Sequence, residues 1–107
     1  MRKLQSTDFF SFTRIIKKMG IRKEIKDLAT TLGKTKDKEI AEKEMQIELI
    51  MIFIENIGNA ETEVYKFVAN ISEKTQEELK DLDIFMESLE AIFKDKTITS
   101  FFKQALK

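Results

Sequence analysis

The side chains that could carry chemistry in this 107-residue chain are carboxylates, hydroxyls and lysines, because histidine and cysteine are both absent. The chain therefore lacks the commonest general base, the commonest transition-metal ligand and any thiolate or disulfide. Serine, threonine, lysine and the single tyrosine, Tyr65, remain as conceivable nucleophiles, but nothing in the sequence organises a base beside them. The sequence predicts that the protein is not an enzyme.

Acidic residues form two clusters, one at Glu42 and Glu44 and the other at Glu77, Glu78, Asp81 and Asp83. A calcium loop needs a glycine among its alternating oxygen ligands, and the second cluster contains none. A carboxylate-bridged metal site in a helical bundle uses Glu-x-x-His pairs, which this chain cannot form. We therefore expect exposed helix faces and first-turn acids, with no metal and no cofactor.

Charge balances overall, with 19 basic and 19 acidic side chains, but it is segregated along the chain. Residues 1–26 hold eight basic and two acidic side chains, a net charge of +6, and the remainder carries −6. One interpretation is a solvated helix face with basic residues near a helix C-terminus. The other is a surface that steers nucleic acid, an acidic partner or the acidic flank of a second copy. The candidate residues of this charged rim or self-association surface are Arg14, Lys17, Lys18, Arg22 and Lys23.

Within the functional interpretation, self-association of the basic end with the acidic end needs the fewest assumptions. Nucleic acid is not the expected partner, because the basic cluster contains no recognisable recognition helix and Gly20 interrupts it.

The apolar residues include nine phenylalanines and five methionines but no tryptophan. Phenylalanines are adjacent at 9–10 and 101–102, and a single helical stripe cannot bury both members of such a pair. The pairs either sit between two neighbouring helices as core filler or contribute to an apolar groove. The candidate groove residues are Phe10, Met45, Met51, Met86, Phe101 and Phe102.

The elements that would position these residues are helices, because proline is absent and glycine occurs only at 20, 33 and 58. Helical periodicity predicts a first helix capped by Thr7 and ended by Gly20, a second over 22–32, and a third over 37–57. Asn59 is the expected cap of a fourth helix, Thr75 to Glu78 has capping-box spacing, and Asp83 is the expected cap of the next helix. A last helix should start at Thr97 or Thr99 and place Ile98, Phe102 and Leu106 on one face.

The most apolar window, 47–57, has eight apolar residues in eleven but contains Glu48 and Glu55. A membrane span needs about 20 apolar residues. A buried helix surrounded by neighbours is therefore expected, with a buried strand as the alternative because Ile50, Ile52 and Ile54 are β-branched. The basic N-terminus is not followed by an apolar run, so we expect no secretory signal, no membrane partner and a cytoplasmic protein. The predicted fold is all-α, one domain over 1–107, with six or seven helices around a central apolar helix at 37–57.

Four segments carry a resemblance to a known family: STDFFSFTRIIKKMGIRKEIKDLA, IELIMIFIENIGNAETEVYKFVANI, TQEELKDLDIFMESLEAIF and TSFFKQAL. Together they resemble the tail-assembly chaperones of long-tailed phages and prophages of Gram-positive bacteria, those of lactococcal phages in particular. The resemblance spans nearly the whole chain and consists of helix patterns and apolar positions.

The resemblance implies a helical protein of the host cytoplasm that binds the tape-measure protein and keeps it soluble until the tail tube polymerises around it. It further implies the tail-tube protein as another partner, self-association into a homo-oligomer, and absence from the mature virion. The alternative from the residues is a small helical regulator that binds nucleic acid or a protein partner through its basic N-terminal segment. A third possibility is a structural oligomer without a client.

Overall fold

Six α-helices account for most of the chain in the computed structural model, which describes residues 1–34 and 36–105 apart from the side chains at 99, 103 and 105. They are α1 (Ser6–Met19), α2 (Arg22–Leu32), α3 (Lys38–Asn56), α4 (Glu61–Ser72), α5 (Leu82–Lys94) and α6 (Lys96–Ala105). Two 3₁₀ turns, Ile57–Asn59 and Glu78–Lys80, follow α3 and precede α5, and no strand occurs in the described residues. The all-α prediction is confirmed, and the β-branched run at 50–54 is helical.

Two helix ends are formed by capping residues, Gly20 at the end of α1 and Asp37 at the start of α3. Gly20 adopts a left-handed conformation with φ 68°, and its N–H donates to the carbonyls of Ile16 and Lys17, as predicted for the end of α1. Asp37 caps α3 by accepting from the N–H groups of Glu39 and Ile40.

Three predicted caps were wrong. Thr7 lies inside α1, which begins after Gln5, whose N–H donates to the carboxylate of Asp8 at 2.8 Å. Asn59 belongs to the 3₁₀ turn that continues from α3, so α4 begins after Ala60 instead. Asp81, and not Asp83, caps α5, and this moves the start of that helix to Leu82.

The last helix starts slightly earlier than predicted, at Lys96, with the Asp95 carboxylate accepting from the N–H of Thr97 at 2.8 Å. Ile98 and Phe102 are buried on its inner face as expected, and the predicted contribution of Leu106 lies outside the described residues.

The core is organised around the ring of Phe12 on α1. Its centroid lies 4.7–6.1 Å from four other phenylalanine rings, which belong to α3, α4 and α6: Phe53, Phe67, Phe101 and Phe102. Phe93 of α5 joins the cluster through rings 5.0 and 6.0 Å away. Five helices therefore meet at one aromatic cluster, and the radius of gyration of 13.3 Å is close to the roughly 13 Å expected for a compact domain of this length.

The N-terminal segment is held to α4 by Arg2. The two terminal nitrogens of its guanidinium each lie 2.8 Å from an oxygen of the buried Asp8 carboxylate, and its backbone N–H donates to the carbonyl of Ile71 at 2.9 Å. The hydrogen bonds from Arg2 lower the pKa of Asp8, against the opposing effect of burial.

The third helix is less enclosed than expected. It packs against α2 and α5, and only Leu49 and Phe53 are fully buried on it. The side chains of Ile40, Ile47 and Met51 remain 50%, 61% and 45% exposed. The reason is geometric, because its neighbours cover one side of the helix and leave the other to solvent.

Candidate functional site

α3 presents two apolar faces that point in opposite directions. At about 100° per residue, Ile47 and Leu49 point about 160° apart around the helix axis. Leu49 and Phe53 enter the core, whereas the opposite side is apolar and open. We call this side the outer face of α3, and it consists of Ile40, Ile47, Met51 and the partly buried Ile54.

The spacing of the outer face suits a second helix. Ile40, Ile47 and Ile54 recur every seven residues and span about 21 Å along the axis. A seven-residue apolar repeat is the pattern that keeps the contact seam of two packed helices aligned. Ile40 and Ile54 are about four helical turns apart, so the surface accommodates a helical segment of about that length.

One flank of the outer face is acidic. Glu44, Glu48 and Glu55 are exposed and lie within about 40° of one another around the axis, over about 16 Å of helix length. We call these three residues the acidic row. Among the side chains that the structure describes, none forms an ion pair with the acidic row. The other flank of α3 carries Lys43.

The candidate apolar residues do not form one groove. Met51 belongs to the outer face of α3, while Phe10 is 58% exposed on α1. Met45 is partly buried and lines a cleft of about 380 Å³ between α3 and the α5–α6 corner. Met86 is partly buried on α5. Of the predicted set, only Met51 joins the surface described above.

Phe101 and Phe102 are a correction to the predicted groove, because they are 8% and 2% exposed and lie in the core. Phe101 contacts the rings of Phe9 and Phe12, and Phe102 contacts the rings of Phe12 and Phe93. This adjacent pair fits between α1 and α5, as the core-filler interpretation required. The pair at 9–10 behaves differently, since Phe9 packs on Phe101 and Phe10 faces solvent.

The basic candidates separate into two groups. Lys17, Arg22 and Lys23 line a cleft of about 450 Å³ where α1 meets α2, and we call these three residues the basic patch. Lys18 instead forms an ion pair with Glu63 of α4, and the hydrogen bond from its ammonium lowers the pKa of Glu63. Arg14 donates to the hydroxyl of Ser11 at 3.3 Å and borders a separate cleft beside Glu63.

The predicted acidic cluster at 77–83 has local structural roles. The Glu78 carboxylate accepts from the N–H of Thr75 at 3.1 Å while the Thr75 hydroxyl accepts from the N–H of Glu78, which confirms the capping box. Asp81 caps α5, and Glu77 pairs with Lys80 at 2.9 Å. Within the described part of the chain, no three metal-ligating side chains come together.

Comparison with known proteins adds no evidence about the function of this chain. No protein-family model matches the chain, and no significant match occurs among curated proteins or solved structures. No described helix combines the length and apolar character needed to cross a bilayer. The class that the geometry defines is an all-α domain with an apolar helical face turned outward.

Sequence reasoning did not recognise Ile40, Ile47 and Ile54 as one apolar face. The signal was present, because these isoleucines and the pair Leu49 and Phe53 form two apolar stripes on opposite sides of one helix. The sequence predicts a buried helix from residue 47 onward, whereas the structure buries only the stripe of Leu49 and Phe53.

Proposed function

We propose that the protein is a phage tail-assembly chaperone that shields an apolar helical segment of the tape-measure protein on the outer face of α3. The observation that carries the proposal is the unpartnered apolar face opposite the core. The resemblance of four segments to tail-assembly chaperones supports the identity of the client. The mode of recognition is a helix packed along an apolar surface, which depends on apolar contacts at regular helical spacing.

The size of this face suits temporary binding. Complete burial of an isoleucine or methionine side chain contributes about 1.5–3 kcal/mol, and the outer-face residues are already about half-covered. The resulting contribution is partly offset by the ordering of the bound helix. A chaperone that must release its client when the tail tube assembles needs an affinity of this reversible kind.

The proposal has further parts. The protein acts in the host cytoplasm before the virion is complete, and the tail-tube protein is a second partner at hand-over. Self-association would join the basic patch of one copy to acidic residues outside the acidic row of the next copy, since charge is segregated along the chain.

The test is co-expression with a tape-measure fragment. We expect the long, apolar, helical fragment to stay soluble and to co-elute with this protein on sizing with mass determination. A fragment that remains insoluble while this protein elutes alone would refute the proposal.

A matched pair of variants locates the contact. We expect Ile47→Arg to abolish rescue of the fragment, because it places a charge at the centre of the outer face. Leu82→Arg is the control, since Leu82 is 71% exposed at the start of α5 and away from that face. Both variants should keep the helical circular dichroism of the parent. Equal rescue by the two variants would remove the outer face from the proposal.

The basic patch supports a second candidate function, in which the protein is a regulator that binds an acidic partner or nucleic acid. The supporting observation is that Lys17, Arg22 and Lys23 border one cleft. This function predicts binding that weakens steeply between low and physiological salt. Lys17→Glu with Lys23→Glu should then abolish binding, while Ile47→Arg leaves it intact.

A further inference from the structure

The charge beside the outer face of α3 specifies the chemistry of the helix that binds there. We infer that the preferred occupant is an amphipathic helix from another protein, with an apolar seam flanked on one side by lysine or arginine. This inference rests on the proposed function and adds a selection rule to it. The basic flank of the occupant lies against the acidic row.

The position of the acidic row supports this orientation. A helix packed on Ile47 and Met51 brings its own flanking residues over Glu44, Glu48 and Glu55, because the row borders the apolar face along most of its length. The three carboxylates have no ion-pair partner among the described side chains, so they are available for cations on the incoming helix. An acidic flank at the same place would meet like charge and be rejected.

A second copy of α3 fits this surface less well. In an antiparallel two-fold pair each flank faces its own counterpart, so the acidic row of one copy would oppose the acidic row of the other. In a parallel two-fold pair the row would meet the opposite flank, where α3 offers only Lys43. A partner helix with a continuous basic flank can pack on the apolar outer face and at the same time place its cations against the acidic row.

Synthetic helical peptides test the rule directly. The probes are three fluorescently labelled 21-residue peptides with the same seven-residue leucine and isoleucine seam, whose one flank carries lysine, glutamine or glutamate. We expect the lysine peptide to bind about tenfold more tightly than the glutamine peptide in fluorescence anisotropy at low salt, and the glutamate peptide to bind most weakly. This size corresponds to a few surface charge pairs, each contributing a few tenths of a kcal/mol.

Charge reversal identifies the residues responsible. Glu44→Lys with Glu48→Lys should invert the order, so that the glutamate peptide binds more tightly than the lysine peptide. Glu87→Lys with Glu90→Lys makes the same change of net charge on exposed positions of α5 and should leave the order unchanged. Inversion by the α5 variant as well would show that net charge, and not the acidic row, decides.

The outcomes separate this inference from the proposed function. If the tape-measure fragment is rescued but the three peptides bind equally, the selection rule is wrong and the chaperone proposal stands. If the lysine peptide is selected but the fragment is not rescued, the rule holds and the client is another protein. If peptide binding survives Ile47→Arg, or if the protein forms dimers that Ile47→Arg dissociates and no peptide binds, the inference is overturned.

Discussion

Asp8 is a buried carboxylate whose charge is stabilised by three hydrogen bonds. Two come from the guanidinium of Arg2 and one from the N–H of Gln5, all at 2.8 Å. This arrangement joins the N-terminal segment, the start of α1 and the end of α4, since Arg2 also contacts Asn70 and Ile71. Asp8 therefore links the N-terminal segment to α4 through Arg2, in addition to the burial of Leu4 in the core.

We expect Asp8→Asn to lower the free energy of unfolding by about 2 kcal/mol at neutral pH. The neutral amide has one acceptor oxygen, so it cannot replace the charged carboxylate that accepts both guanidinium hydrogen bonds. Arg2 lowers the pKa of Asp8 in the folded state. The stabilisation is therefore fully present above the ordinary carboxyl pKa and is lost as pH falls through the lowered value. Urea denaturation of both proteins between about pH 7 and pH 2 should show the difference closing at acid pH.

The control for this pH dependence is Asp27→Asn, an exposed carboxylate on α2, which should change stability by less than about 0.5 kcal/mol. A difference between the parent and Asp8→Asn that persists undiminished at the acid end would show that side-chain shape, and not charge, matters at this position.

Phe12 and Phe10 provide a matched comparison on one helix. Phe12 is completely buried at the centre of the aromatic cluster, whereas Phe10 is mostly exposed. Phe12→Ala should cost about 4 kcal/mol by leaving a cavity between several rings, and Phe10→Ala should cost less than about 0.5 kcal/mol. Thermal and urea unfolding measure both. Comparable losses for the two variants would contradict the described packing.

At the scale of elements, the end of α1 depends on one backbone conformation. Gly20 has a φ of +68°, and a Cβ placed there would meet no atom within 4 Å. The expected cost of Gly20→Ala, about 1 kcal/mol, therefore comes from the left-handed backbone alone. Gly58 has equally open surroundings without a positive φ, so Gly58→Ala should be neutral or slightly stabilising. Urea denaturation should separate the two, and equal effects would show that α1 does not need the left-handed cap.

In the proposed function, α3 has two roles. Its inner stripe places Leu49 and Phe53 in the core, where they hold the helix against the rest of the domain. Its outer face would then meet a partner as an already folded surface, which limits the ordering cost on binding. This separation explains why Ile47→Arg should affect binding without unfolding the domain.

At the scale of the whole molecule, the shared aromatic cluster predicts cooperative unfolding. Rings from five helices contact one another through Phe12, Phe53 and Phe93, so no helix of that set can leave without opening the cluster. Tyr65 is the single tyrosine, and its ring lies 5.0 Å from that of Phe85 on α5.

We expect tyrosine fluorescence and far-ultraviolet circular dichroism to report the same midpoint in urea, because a single small domain unfolds as one unit. The two signals sample different parts of the molecule, namely the α4–α5 contact and the sum of all helices. Midpoints that differ would mean that part of the helical structure, such as α2, unfolds separately from the core.

The sequence by itself determined the fold class, the helix order and several of the residues that begin or end helices. Local chemistry suffices for these features, because helical periodicity, the glycine at 20 and the capping box at Thr75 and Glu78 act within a few residues. The same reasoning missed the non-glycine end of α4, where Glu73 is left-handed with φ 60°. It also chose the wrong residue at three caps, since several candidate cap residues lay within one turn of each other.

Only the tertiary structure decided which apolar residues face outward. The sequence places Phe101 and Phe102 in a surface groove and they are core, whereas it places Ile47 in a buried helix and this side chain is 61% exposed. A hydrophobic side chain has the same local signature in both situations, because burial depends on how many neighbouring helices cover a face. That number is set by packing between segments distant in sequence, and it left α3 with one covered and one open side.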